Sequence, residues 1–428
     1  MSNLPFLVGE ITMATITAIH ASQILDSRGH PTIEVEVAAG KFMGRAAVPS
    51  GASTGIHEAW ELRDGKKKWQ GLGVEKAIEN IHTTIAPLLR GVDVTNQQKI
   101  DTLMIKKDGT SNKKKLGANS ILAVSLACAR AAAASKRIEL YQYLHLLVKP
   151  KPALSLPRCF FNIINGGKHA DNQLSFQEFM IAPRMKSCAE DLQAASEIYH
   201  CLRKELHTKY GKGSTNVGDE GGFAPEQFKN ATQALEMLMK AITDAGYLGK
   251  VDLAMDCAAS EFYRKGKYKV DGKLLNPQQL MDYYLSLINK YPIISIEDPF
   301  HQDDFDAFAH LRRRTPVQIV GDDLTVSNVK RLQQAIKAGS ISCVLLKVNQ
   351  IGTLTEALET VKLAYEQGIT VMVSHRSGET EDTFISDLAV AIGCGMMKAG
   401  APCRGERTAK YNRLLRIEEM MKTAISSS

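Results

Sequence analysis

The chain has 428 residues, 44% of them hydrophobic and 23% charged, enough for a sizeable core divided among two or three domains. Its formal charge of +7 comes from 53 basic and 46 acidic residues, with local excess at Lys66 to Lys68 and from Lys106 to Lys115. No aromatic residues interleave those lysines, so they read as solvated loops and a nucleic-acid platform is not expected.

The first twelve residues carry one acidic residue and neither Lys nor Arg, which fits neither a signal start nor a transit peptide. Residues 1–14 are read as an N-terminal extension, with Met13 an alternative start. From Thr15 onward strands and helices mix. Thr32 to Val37 alternates like a half-exposed strand, and Asn119 to Ser135 is rich in Ala and Leu like a buried helix. The longest apolar run free of charge, Leu116 to Ala129, is shorter than the roughly 18 residues of a membrane span, so no membrane insertion is expected. Pro150, Pro152 and Pro157 then mark a change of pattern, which places one domain at residues 15–150 and a second at 151–428.

In the second part, short apolar runs end on ionisable residues. Val251 to Met255 precedes Asp256, Ile293 to Ile296 precedes Glu297, and Gln318 to Gly321 precedes Asp322. Cys343 to Leu346 precedes Lys347, Thr370 to Ser374 precedes His375, and Met396-Met397 precedes Lys398. Segments with helical spacing lie between them, such as Pro277 to Asn289, Val326 to Ala338 and Leu354 to Gln367. Units repeating at intervals of about 23 to 41 residues predict a parallel β/α barrel, whose strand ends form one mouth. The six charged endings would then share a cavity. The eight cysteines are scattered without any CxxC pair, which argues against a zinc site or disulfide framework and favours a reducing, cytoplasmic compartment.

Three carboxylates with no His or Cys among them, Asp256, Glu297 and Asp322, suit a hard cation such as magnesium or manganese. Ion pairing with Lys347 and Lys398 is the alternative role, and both can hold together. Positive neighbours disfavour an ammonium, so one lysine beside bound cations can act as a base while the other remains a cationic clamp. Such a mouth suits removal of a proton beside a carboxylate, because the resulting enediolate needs concentrated positive charge.

Longer segments make the reading specific. Ser374 to Thr380 (SHRSGET), Leu345 to Thr353 (LLKVNQIGT) and Val217 to Pro225 (VGDEGGFAP) are similar to signature segments of the enolase family. Asp26 to Gly29, Pro49 to Gly55, Gln177 to Ile181 and Ile296 to Phe300 extend the resemblance from about residue 15 to about residue 420. It implies an α/β fold: a smaller α+β N-terminal capping domain, then a TIM-like barrel beginning with an atypical β-β-α-α portion. The implied reaction is the reversible dehydration of 2-phosphoglycerate to phosphoenolpyruvate, in glycolysis and gluconeogenesis.

Position by position, the resemblance implies two Mg2+ ions per site, with Mn2+ an alternative. Asp256, Glu297 and Asp322 would hold the first, while Ser53, on a Gly-flanked loop resembling a lid, joins substrate in holding the second. Lys347 would be the base and Glu220 the acid, supported by Glu178. Arg376 and Ser377 would bind phosphate, Lys398 the carboxylate, and His169 and His375 would complete the closed site. Asp219 beside Glu220 is expected to raise one carboxyl pKa enough to keep it protonated.

Some positions depart from the family pattern. Lys168 stands where a small residue is usual and adds charge to the loop bearing His169; Ala399 and Gly405 also differ. Ser22 replaces an Arg that pairs across the dimer with an acid matching Glu406, whereas Glu34 and Arg416 retain the second pair, so a homodimer is expected. Two other functions stay open: a related carbon-acid lyase acting on an unphosphorylated substrate, and a binding protein reusing the scaffold, including a secondary surface-binding role.

Overall fold

The computed structural model describes residues 14–52 and 54–426. The expectations for residues 1–12, for Met13 and for Ser53 lie outside the described residues.

The N-terminal part begins with an antiparallel sheet of β1 (Ile16–Leu25), β2 (Pro31–Ala39) and β3 (Phe42–Ala47). Along β2 the side chains of Ile33, Val35 and Val37 are wholly buried while those between them are partly exposed, the period of two that a half-buried strand requires. Helix α2 (Ala118–Lys136) covers the sheet, and α1 (Gln97–Asp108) and α3 (Leu140–Leu147) pack against α2. Helix α2 is long and apolar enough to cross a membrane by composition, yet 83% of its apolar window is buried inside the fold. Its alanines let β3 come very close. A Cβ on Gly44 would lie 2.2 Å from the Ala127 carbonyl oxygen and 2.3 Å from the Ala131 nitrogen.

The C-terminal part is a closed barrel of eight strands. They are β4 (Arg158–Asn165), β5 (Glu178–Pro183), β6 (Val251–Asp256), β7 (Ile293–Glu297), β8 (Gln318–Gly321), β9 (Cys343–Leu346), β10 (Thr370–Ser374) and β11 (Met396–Lys398). All neighbouring pairs are parallel except those of β5, which runs antiparallel to both β4 and β6. Helices α4 (Cys188–Tyr210) and α5 (Ala231–Asp244) follow β5 before β6 begins, the β-β-α-α opening that the resemblance implied.

The six strand endings read from the sequence are β6 to β11. Four of the helices between them begin at side-chain caps, which satisfy orphan N–H groups. Asn276 and Gln279 form a reciprocal capping box with Pro277 at the first turn, so α6 spans Pro277–Lys290. Helix α7 is Phe305–Arg314 and α8 is Val329–Ala338. The latter starts three residues later than its apolar pattern predicts, because Val326 and Ser327 take positive φ and Asn328 supplies the cap. Helix α9 (Leu354–Glu366) is capped by Thr353, and α10 (Phe384–Ala391) and α11 (Gly405–Ser426) complete the ring.

Phe160, Met180, Ala254, Val320, Leu345 and Met372 fill the barrel interior, so polar chemistry is confined to its carboxyl end. The N-terminal part packs against that end. Asp101 of α1 accepts the Thr355 N–H at 3.0 Å, Lys113 pairs with Glu356 at 2.9 Å, and Ser50 bridges to Gly378.

Gly44→Ala is expected to destabilise the fold by about 1 to 3 kcal/mol, the usual penalty of overpacking a close backbone approach. Denaturant unfolding checks this; an unchanged midpoint would mean that β3 and α2 separate freely.

Candidate active site

The register of the barrel builds the site. Asp256 pairs with Glu297 on the parallel β7 and with Glu178 on the antiparallel β5. Because β5 runs backwards, its first residue lies at the mouth, level with the last residues of its neighbours. Lys398, at the end of β11, reaches across and sits 3.1 Å from Glu178, 3.4 Å from Asp256 and 2.8 Å from Glu297. All four side chains are buried. Burial alone would lower the Lys398 pKa, but Glu178, Glu297 and Asp256 outweigh it and hold the ammonium charged.

Lys347, just beyond β9, pairs with Asp322 Oδ2, and Gln350 donates to Asp322 Oδ1 at 2.8 Å. Burial lowers the Lys347 pKa, as do Arg376 and Lys398, yet Asp322 prevails and the net direction is upward. Protein groups by themselves therefore keep both lysines protonated; the neutral base expected from the sequence requires cations beyond them.

Opposite these lysines, Glu220 accepts from Asn162 Nδ2 at 2.9 Å, with His169 Nδ1 3.5 Å and His375 Nε2 3.4 Å away. The expectation that Asp219 keeps Glu220 protonated is not met. Burial raises the Glu220 pKa, but His169, His375 and Arg407 outweigh it and hold it well below the ordinary range. Glu178 is the carboxyl pushed up, by burial first and then by the charge of Glu220. The proton thus belongs on Glu178, while Glu220 is ionised, with His169 Nδ1 3.9 and 3.5 Å from the two. His375 is pushed down to about 3, chiefly by burial, and so is neutral.

Arg376 extends into the same space. Its Nη1 donates to Glu58 Oε2 and Asn349 Oδ1, both at 2.9 Å, and its Nη2 donates to Glu58 Oε1 at 3.1 Å. Ser377 Oγ accepts the Ala52 N–H at 2.7 Å. Residues 50–52 and 54–63 therefore lie over the mouth, held further by Ile56 N–H on Gln302 at 3.0 Å and His57 on Asp303 at 2.9 Å. A Cβ on Gly51 would fall 1.9 Å from Arg376 Nη2, so glycine is what allows this loop to cross the guanidinium. Lys168 turns outward, half exposed and 3.6 Å from Glu261, while His169 beside it is buried; the added charge does not enter the cavity.

A small cavity of about 20 Å³ is lined by His169, Glu178, Glu220, Asp322, Lys347, His375, Arg376, Ser377 and Lys398. Asp256 and Glu297 lie directly beneath it, on Lys398. The structure thus brings together every site residue read from the sequence except Ser53. It also adds residues that the sequence reading left out. Asp298 accepts the N–H groups of Asp322 and Asp323 at 2.9 and 2.8 Å, and these three carboxylates form a second acidic cluster. Asp298 is pushed up to about 8 by burial and by Asp322 and Asp256. Carboxylates so crowded, with two lysines and one arginine beside them, make a donor set that fits a hard divalent cation. The doubled Asp322-Asp323 was a legible hint of this. The pairing of Glu58 with Arg376, 318 residues apart, had no local signal.

The model of the enolase N-terminal domain matches residues 16–144, and that of the enolase C-terminal TIM barrel domain matches residues 153–426. A protein of Methanocaldococcus jannaschii named enolase is 53% identical over 409 residues, covering 94% of this chain and 95% of its own. An enolase of Thermococcus gammatolerans is 54% identical over 414 residues, covering 95% of each. The chain belongs to the enolase family. The enolase match spans both parts of the fold.

Because His375 is neutral when folded and takes a proton near pH 6.5 when unfolded, its contribution to stability is present above about pH 6.5 and lost as pH falls toward its folded value. Between about pH 7 and about pH 5 this amounts to roughly 2 kcal/mol. Urea unfolding at both values checks it: the loss should shrink in His375→Gln, and an equal loss in both proteins would mean that His375 is not the group responsible.

Proposed function

We propose that this enolase-family chain is a carbon-oxygen lyase that interconverts 2-phosphoglycerate with phosphoenolpyruvate and water, the phosphopyruvate hydratase reaction. The observation that carries this reading is that Lys347 and Glu220 line one cavity together with Arg376 and Ser377.

In the forward direction the Lys347 amine takes the proton from carbon 2, and the electron pair left behind delocalises into the substrate carboxylate. The pair then forms the carbon-carbon double bond as the bond from carbon 3 to its hydroxyl breaks. That hydroxyl leaves as water with a proton from the Glu220 and Glu178 pair, Glu178 being the member held protonated and Glu220 the acid it supports. Arg376 has the planar fork that suits phosphate. Because Glu58 occupies both of its terminal nitrogens in this structure, phosphate would take that carboxylate's place while Asn349 keeps the guanidinium oriented. Lys398 offers the substrate carboxylate a fixed cation.

Asp256, Glu297 and Asp322 are the residues suited to a divalent ion, taken to be Mg2+ with Mn2+ as a substitute, and Ser53 with substrate would hold a second. When bound, such ions supply the positive charge that lets Lys347 lose its proton and that a deprotonated carboxylate needs. Free cysteines, six of them buried, support a cytoplasmic location. The domain division at residues 15–150 and 151–428, and a homodimer, complete the reading. Glu406 is engaged within its own chain, 3.0 Å from Arg404, which supports a dimer contact that relies on Glu34 and Arg416 instead of Ser22.

Lys347→Ala should lower turnover of 2-phosphoglycerate by a hundredfold or more, the usual scale for a positioned base. Absorbance of the phosphoenolpyruvate formed is the measurement, and unchanged turnover would refute the assignment. Chelator should abolish the same signal and added Mg2+ restore it. Substrates lacking phosphate should not react; turnover of one would favour a different carbon-acid lyase.

A further inference from the structure

Arg407 lies in the first turn of α11 with none of its side chain exposed, the largest fully buried side chain among the described residues. Its Nη1 is 2.6 Å from His375 Nδ1 and donates to the Arg376 carbonyl at 2.6 Å. Its Nη2 donates to the carbonyls of Asp219 at 3.0 Å and Ser377 at 2.5 Å. One guanidinium thus ties together the loop carrying Glu220 and the strand end carrying His375, Arg376 and Ser377. It touches no part of the cavity itself.

A guanidinium has only donors. At 2.6 Å, His375 Nδ1 must therefore be a bare acceptor, and the single proton of the ring must sit on Nε2. A ring turned over would set a C–H against the guanidinium at that distance, which is repulsive. Nε2 makes no hydrogen bond within the protein and faces Glu220 Oε2 at 3.4 Å, on the cavity side. We infer that Arg407 is a positioning residue that locks His375 in the Nε2–H tautomer, making the ring a donor and never an acceptor toward the reacting groups.

The charges around the ring act in concert. Arg407 from α11 and Lys398 from β11 oppose a second proton, as burial does, while Glu220 from the loop after α4 favours one. The balance leaves one N–H aimed at Glu220 or at a substrate oxygen. What that N–H meets during turnover rests on the proposed reaction; the tautomer does not.

The test uses the full-length chain labelled with 15N at histidine, with the His375 signals assigned by their loss in His375→Gln. Long-range 15N–1H correlation near neutral pH should show His375 with a protonated Nε2 and a bare Nδ1. A protonated Nδ1 would overturn the inference. In Arg407→Met the tautomers should mix, kcat should fall about a hundredfold, the scale of a small misplacement within a site, with KM much less affected. The pKa of His375 should also move upward, though not to the ordinary histidine value because burial remains, and any acid limb of the pH profile should move with it. An unmixed tautomer together with an unchanged pH profile would refute the role. Arg407→Lys keeps a charge and a donor, and should restore the Nε2–H form. Should Arg407→Met not fold, the spectra of the unsubstituted protein and of Arg407→Lys decide the matter. If the tautomer is as described but 2-phosphoglycerate is not consumed, the reaction assignment fails and this inference stands.

Discussion

Crowding of like charge at the barrel mouth is the constraint from which the other features of the site follow. Glu178, Asp256 and Glu297 are buried around one ammonium, that of Lys398, and Asp322 is buried against a second, that of Lys347. Ionised carboxylates cannot be taken out of water without partners, and two lysines do not neutralise all of them. The remaining strain shows as carboxyls driven toward protonation: Glu178, Glu297, Asp298 and Asp323 all move up, each chiefly through burial. A site in that condition favours both cations and protons. It is therefore suited to binding a divalent ion and to storing a proton.

The fold concentrates this charge without losing stability elsewhere. Apolar side chains plug the barrel below the mouth, so ionisable groups gather at one end only. The reversed strand β5 brings Glu178 into register with Asp256, which a uniformly parallel barrel would not do. The N-terminal part then closes the top through Glu58 on Arg376 and Ala52 on Ser377. In so doing it excludes water from the groups whose interactions depend on a low local dielectric. Arg407 secures the same arrangement from behind, through carbonyls of two separate segments.

The carboxyl-end residues of β6 to β11 were legible because each strand is a short apolar run that ends where the chain meets the polar mouth. Periodicity and spacing carry that information locally. Glu178 and Glu220 were reachable only through the motifs around them, since one begins an antiparallel strand and the other lies on a loop. The proton assignment between them was misread from the adjacent Asp219, because sequence adjacency does not imply that two side chains face each other.

What the sequence by itself determined was the alternation of strand and helix, the acidic and basic strand ends, and the family motifs. These depend on interactions within a few residues or on segments that can be compared directly. Tertiary structure alone decided the direction of β5, the lid contact of Glu58 with Arg376 and the clamp of Arg407 on His375. It also decided the direction in which each buried group titrates. All of these depend on distances between residues far apart in the chain and on removal from water, neither of which exists until the barrel closes.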